Sequence, residues 1–263
     1  MLQILRKKQN KEGETRPVKS PVERFERKFF ILPKNIGFAY SLLKQFCRPD
    51  KDYPESTVHS LYFDTIDLDQ YNRSASGDYN KDKIRIRWYD EESIKDDAVP
   101  VFIELKTRHG FASSKQRERT VVPVEDIQLP RLVKGIISKT VLNNTIAGFG
   151  YFPESPMRPV IKISYNRYRF TEMLTGTRVS LDYNIRSTMI ALELSRWEHD
   201  LRLEGGVVEV KGPSIELPAT LRRMKILDTD WSRFSKYSNS IDAHVMDPGT
   251  LARFAPSGKI IES

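Results

Sequence analysis

The segment Lys83-Ile-Arg-Ile-Arg-Trp-Tyr89 decides how this chain folds. Side chains of a β-strand point alternately to opposite faces. This strand therefore carries Lys83, Arg85 and Arg87 on one face and two isoleucines and a tryptophan on the other. The pattern indicates an antiparallel sheet with one apolar face and one strongly basic face.

The same alternation recurs along the chain. In Val101-Phe-Ile-Glu-Leu-Lys106 a glutamate and a lysine share one face, and Glu209 and Lys211 do so opposite two valines. Short runs of β-branched and aromatic residues between turn residues are typical of strands. Eight strands are predicted, at Phe25–Leu32, Thr57–Asp64, Lys83–Tyr89, Val101–Lys106, Gln116–Val122, Val160–Thr171, Arg178–Ile185 and Gly206–Lys211.

Apolar residues at helical spacing predict helices at Lys34–Phe46, Leu129–Thr140 and Pro218–Leu227, and the acidic segment Glu91–Pro100 is predicted to be a hairpin loop. Helices need an apolar surface to pack against. If the apolar faces of the strands point outward to them, the charged faces point inward, and a closed barrel of about eight strands has room for side chains or one ligand. We therefore expect an α+β fold, an eight-stranded antiparallel β-barrel with a charged lumen and several helices outside. A sandwich with a solvated basic face is the alternative.

The composition indicates which class of partner and which cell compartment to expect. The 263 residues contain 43 Lys and Arg against 35 Asp and Glu, a formal charge of +8, which favours anionic partners. The single cysteine, Cys47, cannot form an internal disulfide, and no apolar run is long enough to span a membrane or act as a signal peptide. We expect a cytoplasmic protein with a basic tail at 1–21, one domain at 22–245 and a C-terminal tail at 246–263.

A basic lumen with interspersed carboxylates suits phosphate chemistry. Arginine makes bidentate hydrogen bonds to phosphate oxygens, and lysine supplies a compact charge. Carboxylates together with phosphate oxygens suit a divalent cation. Phosphoryl transfer can then depend mainly on positioning and charge neutralisation.

Nine short segments carry a family resemblance through their order and spacing, from about Arg24 to Ile241. They are Glu26-Arg-Lys28, Ser60-Leu-Tyr-Phe-Asp64, Arg85-Ile-Arg-Trp-Tyr89, Glu104-Leu-Lys106, Lys115-Gln-Arg117, Pro159-Val-Ile-Lys-Ile-Ser-Tyr-Asn-Arg167, Arg178-Val-Ser-Leu-Asp182, Glu209-Val-Lys211 and Phe234-Ser-Lys-Tyr237. Together they resemble the triphosphate tunnel metalloenzymes (the CYTH superfamily), and within them the VTC-type polyphosphate polymerase domain. Arg24 stands where the phosphatase branch carries a first glutamate, which favours the polymerase branch.

The resemblance implies a tunnel that binds ATP or another nucleoside triphosphate with Mn²⁺ or Mg²⁺, and transfers the terminal phosphate of ATP to a growing polyphosphate chain. It implies Glu209 as the metal ligand and Ser235 as a small donor beside the phosphates. Arg117 or Arg119 is the alternative to Lys115 in the implied set. The implied phosphate ligands are Lys28, Arg85, Arg87, Lys106, Lys115, Arg117, Arg167, Arg178 and Lys236, of which Lys28, Arg85, Arg87 and Lys106 are expected, with Glu209, to take part in catalysis.

Several alternatives stay open. The same tunnel could hydrolyse triphosphate or polyphosphate, or bind a phosphorylated ligand without turnover; nucleic acid is not expected. Glu209 could be a salt-bridge partner, and Ser235 a turn or cap residue. Asp182 and Glu104 are expected to orient basic side chains rather than bind metal.

Arg167 is the one implied ligand that conflicts with the alternation. Strict period two places it with Ile161, Ile163 and Tyr165, on an otherwise apolar or aromatic face. Either a bulge after Ser164 re-aims the strand, or the barrel wall is mixed there.

Overall fold

A computed structural model describes residues 24–90, 97–110, 112–128, 131–195, 200–227, 234–245 and 254–256. The strands are β1 (Arg24–Ile31), β2 (Cys47–Pro49), β3 (Glu55–Asp64), β4 (Asn80–Tyr89), β5 (Ala98–His109), β6 (Ala112–Pro123), β7 (Arg158–Glu172), β8 (Arg178–Met189), β9 (Leu201–Leu203), β10 (Gly206–Gly212) and β11 (Phe254–Pro256). The α-helices are α1 (Ile36–Phe46), α2 (Asp69–Ala75), α3 (Lys139–Gly148) and α4 (Lys236–Val245).

Eight strands close into a ring. Each pairs antiparallel with its neighbours in the order β8-β10-β1-β6-β5-β4-β3-β7, and β7 pairs with β8 again. These are the eight predicted strands, most of them longer by a few residues at one or both ends. Among the described residues, which begin at Arg24, β1 pairs with β6 at Arg24 opposite Ser113 and at Phe25 opposite Ala112. The predicted antiparallel barrel is confirmed.

The apolar faces of the strands point outward. Ile84 and Ile86 of β4 lie in one buried cluster with Leu142 and Ile146 of α3. A second buried cluster joins α1 to strands β1, β8 and β10. Because helices cover these faces, the basic faces of the same strands point into the ring, as the alternation predicts.

A third cluster lies inside the ring, where α4 fills part of the interior. Tyr237 of α4 stacks on Tyr62 of β3 with ring centroids 4.9 Å apart, and both pack with Ile161 and Ile163 of β7. The interior is therefore apolar at one part and charged at another. Sequence patterning did not predict α2 or α4, because their short sequences are polar and lack a clear apolar stripe.

The helix predicted at Leu129–Thr140 is wrong. Only a 3₁₀ turn at Arg131–Lys134 occurs there, Gly135 adopts φ 75° after it, and α3 begins at Lys139. The Ser138 hydroxyl accepts a hydrogen bond from the Val141 N–H at 3.3 Å, so this serine caps the helix start. A left-handed glycine followed by a capping serine was the overlooked signal.

Of the other two predicted helices, the first begins two residues later than predicted and the second is a 3₁₀ helix. Pro33–Asn35 is a 3₁₀ turn before α1, and Ala219–Leu227 is entirely 3₁₀. Cys47 is buried and begins β2, directly after α1 ends at Phe46.

The predicted loop at Glu91–Pro100 and the predicted tails lie largely outside the described residues. Residues 91–96 and 1–21 lie outside them, and β5 already begins at Ala98. In the C-terminal segment, Phe254–Pro256 pairs with Leu201–Leu203 of β9. Among the described residues, no helix combines the length and apolarity needed to cross a lipid bilayer.

Candidate functional site

A cavity of about 520 Å³ occupies the charged part of the ring interior. Its lining comes from β1, β3, β4, β5, β7 and β10, from α2 and the α2–β4 connection, and from the start of α4 with the two residues before it. The charged residues that line it are Glu26, Lys28, Asp78, Lys81, Lys83, Arg85, Arg87, Lys106, Arg108, Arg167, Glu209, Lys211 and Lys236.

Strand β4 leads from the rim of this cavity to its depth. Tyr79 and Asn80 are exposed, Lys81 and Lys83 are partly buried, and the Arg87 side chain is only 8% exposed. Arg87 donates through Nε to Ser60 Oγ and through Nη2 to the Tyr165 hydroxyl, both at 3.2 Å. The strand thus presents a graded series of cations to a ligand that enters from its first residues.

Glu104 orients the arginines of β4 from the next strand. Its fully buried carboxylate accepts from Arg85 Nε at 2.8 Å and Nη2 at 2.7 Å, and it lies 3.0 Å from Lys115 Nζ. Burial favours the neutral acid, but Arg85, Arg87 and Lys115 outweigh it and lower the pKa of Glu104. The prediction that this carboxylate orients basic side chains is confirmed.

Asp182 plays the same part for two cations on the opposite wall. It accepts from Arg167 Nε at 2.6 Å and Nη2 at 2.8 Å, and from Lys236 Nζ. Burial is outweighed by these partners, so the pKa of Asp182 is lowered. A bidentate pair of this kind fixes the plane of the guanidinium group.

The conflict over Arg167 is resolved by a mixed wall. Tyr165 and Arg167 both line the cavity, while Ile161 and Ile163, on the same face of β7, pack in the apolar part of the interior with α4. The pairing of β7 with β8 does shift between Ser164 and Asn166, but the extra residue lies on β8, where Asn184 has φ 50°. Arg167 therefore reaches the lumen without leaving its expected face.

Two carboxylates on neighbouring strands face the cavity near its lysines. Glu209 lies opposite Lys28 in register and Glu26 opposite Lys211, so the two glutamates are diagonal neighbours on one face. Glu209 contacts Lys211 Nζ at 3.0 Å and Arg167 Nη2 at 3.5 Å. Glu26 accepts from Lys106 at 2.6 Å.

These carboxylates fit a divalent cation that is completed by phosphate oxygens. Within the described ranges no group of three or more His, Cys, Asp or Glu side chains is placed to hold a metal. Mg²⁺ is typically held by one or two carboxylates together with substrate phosphates. The buried Glu26 Oε1 accepts no hydrogen bond among the described residues, and its ion-pair partner Lys28 Nζ lies 3.5 Å away.

The first residues of α4 also face the cavity. The Ser235 hydroxyl accepts from the Ser238 N–H at 3.2 Å, so it caps the helix, and it also accepts from Lys83 Nζ at 2.7 Å. Free N–H groups and the helix dipole at an N-terminus favour anions. Ser235 is thus both the cap residue of the alternative interpretation and a cavity-lining hydroxyl.

The structure brings most of the sequence-predicted site residues together and leaves three apart. Lys28, Arg85, Arg87, Lys106, Arg167, Glu209, Ser235 and Lys236 line the cavity. Outside that lining, Lys115 pairs with Glu104, and the Arg117 guanidinium lies 3.7 Å from the centroid of the Phe102 ring. Arg178 is exposed, opposite Lys211 in register.

Several cavity residues were missing from the predicted set, and five of them show which signal was available. Lys83 and Lys211 already shared a strand face with predicted ligands, so alternation contained the signal. Glu26 lies two residues before Lys28 on the same face of β1, and Arg108 lies two residues after Lys106. Tyr165 required the tertiary structure, because its hydroxyl acts through Arg87 of another strand.

Crowding of cations in a partly dry space destabilises their charged forms. Burial, followed by the nearby cations, lowers the pKa of Lys83 to about 7, and burial also lowers the pKa values of Lys28, Lys106 and Lys211. Arg167 and Arg87 overcome the effect of burial and lower the pKa of the Tyr165 phenol to about 8. A polyanion in this cavity would relieve the repulsion.

Triphosphate affinity should fall as the pH rises through the alkaline side of neutrality. Because the pKa of Lys83 is about 7 in the empty protein, binding above that pH must recharge the amine by taking up a proton. We expect affinity for inorganic triphosphate to fall about tenfold between about pH 7.5 and pH 9, measured by calorimetry. The stability of the ligand-free protein depends on pH in the opposite direction. Above about pH 7 the lysine binds more protons in the unfolded chain than in the folded one, so the free energy of unfolding rises with pH.

Lys83→Met is the matched variant for this dependence. Its pH slope should be clearly smaller than that of the wild type, because the titrating amine is gone while the arginines remain charged. An unchanged slope in Lys83→Met would show that Lys83 does not titrate with the ligand.

Comparisons with known proteins agree with this arrangement at the level of the family. The model of the VTC domain family matches residues 23–245. No protein among the curated sequences matches this chain.

Solved structures with similar chains include three from different sources. An adenylate cyclase candidate from Bacillus halodurans is 15% identical, with 82% of this chain and 94% of that chain covered and a TM-score of 0.49. An adenylyl cyclase candidate from Hippeastrum with a dominant triphosphatase activity is 16% identical, with coverages of 86% and 98% and a TM-score of 0.47. The capping enzyme triphosphatase of Mimivirus is 13% identical, with coverages of 80% and 88% and a TM-score of 0.38.

The family match spans all eight ring strands, α2 and α4, and so includes every element that supplies the cavity lining. The chain therefore belongs to the VTC domain family.

Proposed function

We propose that this protein is a polyphosphate polymerase that transfers the terminal phosphate of ATP to a growing polyphosphate chain. The observation that carries the proposal is the ring interior, where cations from β1, β4, β5, β7 and β10 line one cavity. Burial lowers the pKa values of its lysines, and a polyanion among them would stabilise their charged forms. Membership of the VTC domain family supports the same assignment.

The arginines are proposed to hold the phosphates and the lysines to neutralise them. Arg85, Arg87 and Arg167 are already oriented by Glu104, Tyr165 and Asp182, so little side-chain entropy remains to be lost on binding. Lys28, Lys106 and Lys236 add charge from the other walls. Such preorganised donors stabilise charge that develops on the transferred phosphoryl group.

The transfer needs little covalent help from the protein. An oxygen of the terminal phosphate of the chain attacks the γ-phosphorus of ATP, the bond from that phosphorus to the bridging oxygen breaks, and ADP leaves with the electron pair. The attacking phosphate is already an anion, so no general base is required. The protein side chains align the two anionic groups and screen their repulsion.

We propose that Glu209 holds a divalent cation, with Glu26, its diagonal neighbour on β1, as a second carboxylate. When bound, Mn²⁺ or Mg²⁺ would supply charge neutralisation at phosphate oxygens. Glu209 would exchange its contacts with Lys211 and Arg167 for the metal, and the freed cations would face the phosphates.

Hydrolysis is the second candidate, because water and a phosphate chain end can attack the same phosphorus in the same charge arrangement. A module that binds polyphosphate without turnover is the third. Nucleic-acid binding is disfavoured, because the alternating basic residues of β4 face a narrow interior instead of an open surface.

One assay separates these candidates. The purified protein is incubated with ATP and Mn²⁺ while ADP, free phosphate and polyphosphate are measured together. ADP with polyphosphate and little free phosphate is the expected result. ADP with one free phosphate for each ADP would replace the polymerase by a hydrolase, and bound polyphosphate without ADP would replace it by a binding module.

A further inference from the structure

Tyr79 is a large aromatic side chain left in solvent at the rim of the cavity. It lies between α2 and β4, is 72% exposed, and lines the cavity beside Asp78 and Lys81. Single exposed aromatic residues are common on protein surfaces and by themselves mean little. Phe152, for example, is 75% exposed and does not line the cavity. What distinguishes Tyr79 is how its ring is held.

The Tyr79 ring rests on the backbone of Gly110 in the β5–β6 hairpin. A Cβ atom built on Gly110 would lie 2.6 Å from Cε2 and 3.0 Å from the hydroxyl oxygen of Tyr79, a space that only a glycine leaves open. The Gly110 N–H donates to the Tyr79 carbonyl at 2.9 Å, and Arg108 Nε donates to the Gly110 carbonyl at 2.7 Å. Gly110 has φ 58°, which also favours glycine. One side of the ring is therefore supported by the hairpin while most of the residue stays exposed.

The position of the ring suits a group joined to the phosphates. Tyr79 directly precedes β4, and the strand from Tyr79 to Lys83 spans about 13 Å. Lys83 and Arg85 follow in the same cavity at increasing depth. If the phosphates of a ligand lie beside Lys83 and Arg85, the group attached to them on the side of the rim lies near Tyr79.

We infer that Tyr79 is a stacking platform for the base of a nucleoside triphosphate, and that it lets the site favour nucleoside triphosphates over inorganic triphosphate. The inference rests on the proposed function, because it assigns the donor of the phosphoryl group. Every nucleobase has a flat π-face, and stacking on an aromatic residue tolerates any base. The platform therefore selects for the presence of a base and discriminates little between bases.

The test compares two ligands on the wild-type full chain and on three variants of it. Affinities for ATP and for inorganic triphosphate are measured by calorimetry for the wild type, Tyr79→Leu and Tyr79→Phe. Tyr79→Leu should weaken ATP binding about tenfold and change inorganic triphosphate binding by less than about twofold. Tyr79→Phe keeps the ring and should bind both ligands like the wild type. Phe152→Leu, an equally exposed aromatic outside the cavity, should change neither affinity.

Three results would overturn the inference. If Tyr79→Leu binds ATP as tightly as the wild type, no base stacks on this ring. If both ligands weaken equally, Tyr79 supports the phosphate site or the hairpin and not a base. Either result leaves the proposed phosphate chemistry intact, whereas a wild-type protein that binds neither ligand would overturn both proposals.

Discussion

Glu209→Ala should reduce ATP turnover at least about 100-fold while leaving metal-free binding of inorganic triphosphate no weaker than in the wild type. The carboxylate is the proposed metal ligand, and it neutralises Lys211 and Arg167 in the empty protein. Without this carboxylate the site loses its proposed metal ligand, but its net positive charge increases, which favours the binding of an anion. Turnover is measured as ADP release with Mn²⁺, and binding is measured by calorimetry with a chelator present.

Glu204→Ala is the matched control, since Glu204 is an exposed carboxylate five residues earlier that does not line the cavity. It should keep full activity. Removing a partner from a buried ion pair can also destabilise the fold, so thermal unfolding with and without inorganic triphosphate is measured for both variants. Full turnover in Glu209→Ala would reject the metal role, and loss of stabilisation by triphosphate would show that the cavity has collapsed.

Arg87→Ala should weaken triphosphate binding about 10- to 100-fold, and Arg85→Ala should have a similar effect. Charge-assisted hydrogen bonds are worth about 1.5–3 kcal/mol each, and these guanidinium groups are already oriented by the buried Glu104 and its neighbours. The measurement is the dissociation constant of inorganic triphosphate at fixed salt and pH. Arg87→Lys, which keeps the charge but loses the planar fork, should lie between the wild type and Arg87→Ala.

A substitution in the basic N-terminal segment provides the comparison. Lys11→Ala removes one positive charge from the segment 1–21, which the sequence predicts to be a basic tail. It should change the affinity by less than about twofold, because salt screens a charge that lies in solvent. Equal losses from Lys11→Ala and Arg87→Ala would mean that net charge, and not the ring interior, binds the triphosphate.

Alternation along single strands predicted much of this site. Arg85 and Arg87 line the cavity because they alternate with the buried Ile84 and Ile86, whose side chains point to the opposite face. The same local rule placed Lys28, Lys106 and Glu209 on interior faces. These residues depend only on the strand that carries them, so sequence alone was sufficient to assign their faces.

Local rules failed where neighbouring elements decide the outcome. Lys115 and Arg117 lie on β6 opposite Lys106 and Glu104, yet they do not line the cavity. The Lys115 amine pairs with Glu104, and the Arg117 guanidinium lies 3.7 Å from the centroid of the Phe102 ring. Arg178, by contrast, begins β8 and lies at the open end of the ring. A strand pattern contains no information about how far a ring extends beyond a given residue.

The sequence by itself determined the eight strands, their inward and outward faces and the family to which the chain belongs, because alternation and motif order are properties of the chain alone. The tertiary structure alone decided that α4 enters the ring, that Tyr165 supports Arg87 and that the Tyr79 ring rests on Gly110. Each of these contacts joins elements distant in sequence, and its geometry follows from ring closure and packing, which no local pattern encodes.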